Sequence, residues 1–382
     1  MTRRNALALT LCATTVVALA GVSTPVAGAA ARSETPTAAP SSTVTRIEDQ
    51  TAKAVAASLA NAQWREELRS AVLKSNELDL RAVTASAAST AGRELTGAVA
   101  GADRRIVAAK GLDSSVGSLL RLRLGTDTMK KKLTPGTSPL VAVTTQDDDA
   151  TTVTAYDSRG RAHTLDATKA PQQAVYVIDL DVSKAVTAGL DLLNKELAKD
   201  GLTTPATSRG AATSATATAG GFWTTKVDAV YLNDDEEPWT SGDAEVYSLV
   251  SGFGLDGKVR VDSVDMPYLD TDHHTYYPNQ ILVNWSNYKY NLADVVMMED
   301  DGDTNYAALT KAIADALLTI TDQGAYVPLV NAILDAIPAS WYTNDPDYVD
   351  SWYTLAANST GTLNGARGNG WMQVSPYWVQ QF

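Results

Sequence analysis

Residues 227–252 read VDAVYLNDDEEPWTSGDAEVYSLVSG, residues 264–285 read VDMPYLDTDHHTYYPNQILVNW, and residues 295–306 read VVMMEDDGDTNY. In each, a short strand-like apolar segment runs straight into carboxylates. The acids cluster at 234–237, at Asp270 and Asp272, and at 299–303. Segments at 227–232, 244–250, 258–264, 280–286 and 293–298 are short and bounded by Gly, Asp, Asn or Pro. That punctuation predicts the strands of an antiparallel β-sandwich. Two helical faces then interrupt it. Leu309, Ile313, Leu317 and Ile320 recur on one, and Val327, Val330, Leu334 and Ile337 on the other. Strands resume at 349–355 and 370–374. The expectation is a sandwich with a two-helix insertion, its acidic loops gathered at one end.

Composition sets this half apart. Of 26 aromatic residues, 23 lie in 222–382. The same segment has 23 acidic and 6 basic residues, a balance of −17, whereas residues 30–221 have 21 and 23, a balance of +2. An acidic surface of that size repels a phosphate backbone, which argues against nucleic acid as a partner. Residues 203–221 (TTPATSRGAATSATATAGG) read as a linker. Upstream, residues 46–202 predict a helical and small-sheet domain. Helices are expected over 47–76, over 82–110 and near Leu119 to Leu124. Strands follow at 140–145, 151–156, 162–165 and 174–180. A last helix runs from an N-cap at Ser183 to Lys199, with Val186, Leu190, Leu193 and Leu197 on one face. The fold class is α+β: this N-terminal domain, the linker, and an acidic, aromatic-rich antiparallel β-sandwich at 222–382.

The chain opens as an export signal. Arg3 and Arg4 precede an apolar run at 6–22, and Ala27-Gly28-Ala29 supplies a small-residue cleavage site. Residues 1–29 are therefore expected to be a signal peptide, and residues 30–45, rich in Ser, Thr, Pro and Ala, a disordered leader. The expected location is extracellular. Cys12, the one cysteine, lies inside the signal, so the mature chain would be stabilised by its core or by bound ions instead of disulfides. No later stretch is long and apolar enough to span a membrane.

Several motifs carry a resemblance. Glu237-Pro238-Trp239, Gly242-Asp243-Ala244-Glu245-Val246-Tyr247, Met266-Pro267-Tyr268-Leu269-Asp270 and Tyr276-Tyr277-Pro278-Asn279-Gln280 resemble an uncharacterised secreted bacterial family, domain-of-unknown-function family 3103. The resemblance covers most of the chain and implies no activity. The C-terminal half is also similar to C2-type calcium-binding sandwiches, in which acidic loops at one end hold the ions. The stretches concerned are VYLNDDEE at 230–237, VMMEDD at 296–301 and NDPDYVD at 344–350. The helical insertion departs from that pattern.

Calcium takes about six to eight oxygen ligands, so several carboxylates must converge to hold it. The candidates are Asp234, Asp235, Glu299, Asp300, Asp301, Asp303, Asp345 and Asp347; the competing reading is a set of solvated acidic loops. An EF-hand is excluded, because Tyr306 stands where the loop needs Gly and Ala312 where it needs the closing Glu. His163 reads as structural, and His273 and His274 sit beside Asp270 and Asp272. There is no H-E-x-x-H, no G-x-S-x-G and no cysteine after Cys12. No catalytic residue is assigned. The expected function is a secreted, non-catalytic binding or structural protein with a calcium-binding sandwich and a glycan or cell-surface partner. The alternative is a carbohydrate-binding protein using Trp239, Trp285, Trp341 and Trp352, or a glycoside hydrolase using paired carboxylates.

Overall fold

The computed structural model describes residues 42–75, 77–145, 150–203, 220–234, 239–240, 244–300, 302–336 and 348–380. The expected signal peptide, most of the expected leader and residues 204–219 of the expected linker lie outside them. Ser41–Phe382 is one compact unit.

Capping residues divide the N-terminal helices. α1 (Thr43–Ser58) starts at Ser42, whose side chain accepts from the Thr45 N–H. It therefore begins inside the stretch expected to be a leader. α2 (Ala62–Val72) starts at Asn61, which accepts from the Trp64 N–H. The single helix expected over 47–76 is broken there, since an Asn N-cap stabilises a new start by about 1 kcal/mol. The expected helix over 82–110 is likewise two, α3 (Leu80–Ala85) capped by Asp79 and α4 (Thr90–Ala109) capped by Ser89. The helix expected near Leu119 is instead a strand, β2 (Leu120–Leu124). Leu and Arg alternate there and burial alternates with them, a period of two that a helix cannot satisfy.

With β1 (Glu77–Asp79), β3 (Leu140–Val143), β4 (Thr152–Tyr156), β5 (Ala162–Asp166) and β6 (Val175–Leu180), β2 forms a six-stranded sheet in the order β1-β2-β6-β3-β4-β5. In this sheet β3 and β6 pair in parallel, and the other pairings among the described residues are antiparallel. α5 (Val182–Lys199) follows, and its cap is Asp181, not Ser183, because Asp181 accepts from the Lys184 N–H. Val186, Leu190, Leu193 and Leu197 are buried on its face, as their spacing requires.

Two antiparallel sheets make up the rest. β7 (Gly221–Leu232) lies between β10 (Thr275–Tyr276) and β15 (Gly370–Gln380), with β14 (Gly361–Asn364) beyond β15 and β11 (Gln280–Asn284) also on β7. The second sheet runs β13 (Tyr348–Ala356), β12 (Leu292–Met298), β8 (Tyr247–Phe253), β9 (Val259–Asp265). α6 (Tyr306–Leu317) and α7 (Val330–Ala336) are inserted between β12 and β13, as expected. α7 begins after Val327, which is exposed. The central strands of the second sheet, β12 and β8, are buried on both faces. Ala293, Val295 and Met297 of β12 join Val230, Met372 and Val374 in the sandwich core. Val296 and Met298, one residue out of phase, join Tyr247, Leu249, Ile313 of α6 and Leu190 of α5 in the other core.

That other core also contains Val44, Leu68, Ile106 and Val177, so residues on both sides of 203–221 share it. Backbone bonds accompany the packing. The Val261 N–H donates to the Leu202 carbonyl at 2.8 Å, and the Tyr306 N–H to the Lys110 carbonyl at 2.9 Å.

Candidate functional site

Of the eight predicted calcium ligands, Asp235, Asp301, Asp345 and Asp347 lie outside the described residues. Of the other four, Asp234, Glu299 and Asp300 lie within two residues of a strand end, and Asp303 lies between β12 and α6. Asp234 follows β7 and is exposed, its backbone N–H and carbonyl tied to the Asn369 side chain. Glu299 follows β12 and is buried, its Oε1 facing the Glu245 N–H at 3.5 Å. Asp303 is half-buried. Among the described residues, no three His, Cys, Asp or Glu side chains converge on a point where a metal ion could sit.

Asp300 has a different set of partners. Both its oxygens lie 3.3 Å from Lys110 Nζ, and both side chains are 0% exposed. The Gly302 N–H donates to Oδ1 at 3.0 Å, and the Tyr306 hydroxyl donates to Oδ2. Lys110 Nζ also donates to the Gly302 carbonyl at 2.9 Å. The ammonium thus occupies the place at Asp300 that a cation would take. Lys110 is the C-cap residue of α4, held there by the backbone bond from Tyr306 and by the Asn305 side-chain amide, which donates to the Ala109 carbonyl at 2.7 Å.

A second buried acid stands near this pair. Glu48 of α1 is 1% exposed, and neither carboxyl oxygen has a hydrogen-bond partner. Burial pushes its pKa well above the usual carboxylate range. The charge of Asp179 adds to this, Lys110 opposes it, and Asp303 raises it further. Sequence reasoning passed over both Glu48 and Lys110. The available signal was Glu48's position on the apolar stripe of Val44, Ile47, Thr51, Ala52 and Val55, where an unpaired charge is costly.

The open face of the β7–β15 sheet carries the other concentration of chemistry. Met372 and Val374 point into the sandwich, so Trp371, Gln373, Ser375 and Tyr377 point out. Tyr231 of β7 pairs with Trp371, their rings parallel within 7° and 5.7 Å apart. His273 also stacks on Tyr231 at 6.3 Å, with the Tyr231 hydroxyl 3.3 Å from Nδ1. Lys226 lies over the Tyr377 ring at 5.5 Å and pairs with Asp228 at 2.8 Å. Tyr377 is 47% exposed and Ile281, opposite Lys226, is 42% exposed. The tryptophans named from sequence lie elsewhere. Trp285 and Trp352 are buried in the sandwich core, Trp239 packs against the other core and donates to the Asp166 carbonyl at 3.1 Å, and Trp341 lies outside the described residues. The overlooked signal was the alternation of Trp371 and Tyr377 with the buried Met372 and Val374.

No helix among the described residues is long and apolar enough to cross a membrane. A family model described as "Protein of unknown function (DUF3103)" matches residues 50–382. No curated protein and no solved structure matches the chain.

Proposed function

The chain belongs to the DUF3103 family, and from that premise we propose that it is a secreted, non-catalytic binding protein whose open β7–β15 face takes a glycan. The observation that carries this reading is the outward row of His273, Tyr231, Trp371 and Tyr377 on a sheet whose opposite side is fully packed. Aromatic faces accept the C–H faces of sugar rings, while Gln373, Thr362 and Asn364 offer polar groups to hydroxyls. The Lys226–Asp228 pair leaves the middle of the face without net charge, which suits a neutral saccharide. The basic head and apolar run expected to be an export signal support secretion, and a folded face on a rigid sheet needs no catalytic residue to bind.

A glycan array followed by titration calorimetry tests the proposal. Trp371→Ala and Tyr231→Ala are each expected to weaken the hit by about tenfold or more, equal to ~1.4 kcal/mol, with the melting curve retained. Unchanged affinity in both variants would overturn it. Calcium belongs to the same proposal as a stabiliser of the loops holding Asp234 after β7 and Glu299 and Asp303 between β12 and α6. Calcium at a hundred times its dissociation constant would stabilise the fold by roughly 2.7 kcal/mol, and magnesium by less. An unchanged melting curve in millimolar calcium removes the ion from the reading.

A further inference from the structure

Lys110 and Asp300 stand 190 residues apart in sequence and in contact in space, both fully buried. A buried ion pair is costly to desolvate, and replacing one with apolar groups often stabilises a protein. The pair is nevertheless enclosed with unusual care. Gly302 supplies an N–H to Asp300 and a carbonyl to Lys110, and the Tyr306 hydroxyl fixes the second carboxylate oxygen. Lys110 Nζ lies 3.3 Å from both Asp300 oxygens, which puts the amine and the carboxyl group in direct contact inside an enclosed site.

We propose that Lys110 and Asp300 condense to an intramolecular isopeptide bond. One Nζ proton passes to an Asp300 oxygen, leaving an amine beside a carboxylic acid. Nζ then attacks Cγ, forming the N–C bond and a tetrahedral centre stabilised by the Gly302 N–H and the Tyr306 hydroxyl. A second Nζ proton reaches one Cγ hydroxyl, the C–O bond breaks, and one water departs. The product is a neutral amide, and no oxidant, reductant or cofactor is needed. The buried Glu48 acts as a positioning group through its electrostatic coupling to Lys110, since neither of its oxygens is hydrogen-bonded to Lys110 or Asp300. The consequence is a covalent tie between α4 and the segment after β12. In a chain whose one cysteine is Cys12, it does what a long-range disulfide would do, restricting the unfolded chain. This inference is independent of the glycan reading.

The test needs no variant. The purified full-length mature protein is denatured, its intact mass is measured, and its protease digest is mapped. The expected mass is lower than the sequence mass by one water, with the peptide holding Lys110 joined to the peptide holding Asp300. A full sequence mass with both peptides separate would overturn the proposal. So would a lost water that maps to a cyclic imide at Asp301-Gly302, because the peptides then stay apart. Lys110→Arg and Asp300→Ala are expected to restore the full mass, and a protein that still lacks one water in both would count against the assignment. Glu48→Gln is expected to leave a folded chain largely unlinked, as read by the linked fraction over time. Linkage as complete and as fast as in the parent protein would remove Glu48 from the step.

Discussion

Asp322 shows how one carboxylate can hold two segments together at the surface. It accepts from Lys289, from the Tyr290 hydroxyl at 2.6 Å and from the Gly324 N–H at 2.8 Å. Lys289, then Tyr290 and Gly324, hold its pKa down at about 2. An unfolded Asp titrates near ~3.9, so the folded form keeps its charge to lower pH. The stabilisation is present above the unfolded value and is lost as pH falls through about 2. Asp322→Asn should therefore lower the melting temperature at neutral pH, and the difference should vanish in strong acid. A constant difference across that range would contradict the assignment. At Asp300 the same scale gives the opposite expectation for calcium. Its oxygens already face Lys110, so Asp300→Ala should lower stability equally with calcium and under chelation. A lost calcium response would instead make it a ligand.

At the scale of elements, Asp350 of β13 fastens the β14–β15 hairpin. Its Oδ1 accepts from the Ser351 and Arg367 N–H groups at 2.7 and 2.8 Å, and its Oδ2 from the Gly370 N–H at 2.9 Å. Gly365 is required beside it, since a Cβ there would overlap the carboxylate. Asp350→Ala leaves buried N–H groups unsatisfied and should cost about 2–4 kcal/mol, read by denaturant unfolding. α5 and α6 meet through a similar fit. A Cβ on Gly189 would overlap the Tyr306 ring, so Gly189→Val should destabilise this contact. The elements themselves were largely legible in sequence. The face of Leu309, Ile313 and Leu317 and that of Val186, Leu190, Leu193 and Leu197 announced α6 and α5. The strands at 227–232, 258–264 and 293–298 were marked by their bounding turn residues. The errors fell where a local rule competed with another. Asn61 and Ser89 restarted helices that propensity alone would have continued, and the Leu-Arg alternation at 120–124 outweighed helix-forming residue types. The candidate site was less legible. Carboxylates past strand ends could be placed, but a lysine 190 residues away could not, because no local pattern encodes a tertiary partner.

At the scale of the whole molecule, the composition change near 221 divides the chain in sequence while the packing joins it. The β13-β12-β8-β9 sheet presents Tyr247, Leu249, Phe253, Val259, Val261, Val296 and Met298 to a core that α5 and the N-terminal sheet complete. Asn194 Nδ2 donates to Ser263 Oγ at 3.0 Å, the Thr203 hydroxyl to Asp262 at 3.1 Å and Arg123 to the Thr240 carbonyl at 2.6 Å across the same join. Residues 222–382 expressed alone would expose that apolar face to water, and patches of this kind drive association. The fragment should therefore aggregate, or melt without a cooperative transition. Co-expression with residues 42–203 as a separate chain should recover a soluble complex with one copy of each, read by light scattering and by a single thermal transition. A monodisperse, cooperatively folded fragment 222–382 would show that the sandwich core between its two sheets suffices alone, and that the shared core adds only an interface.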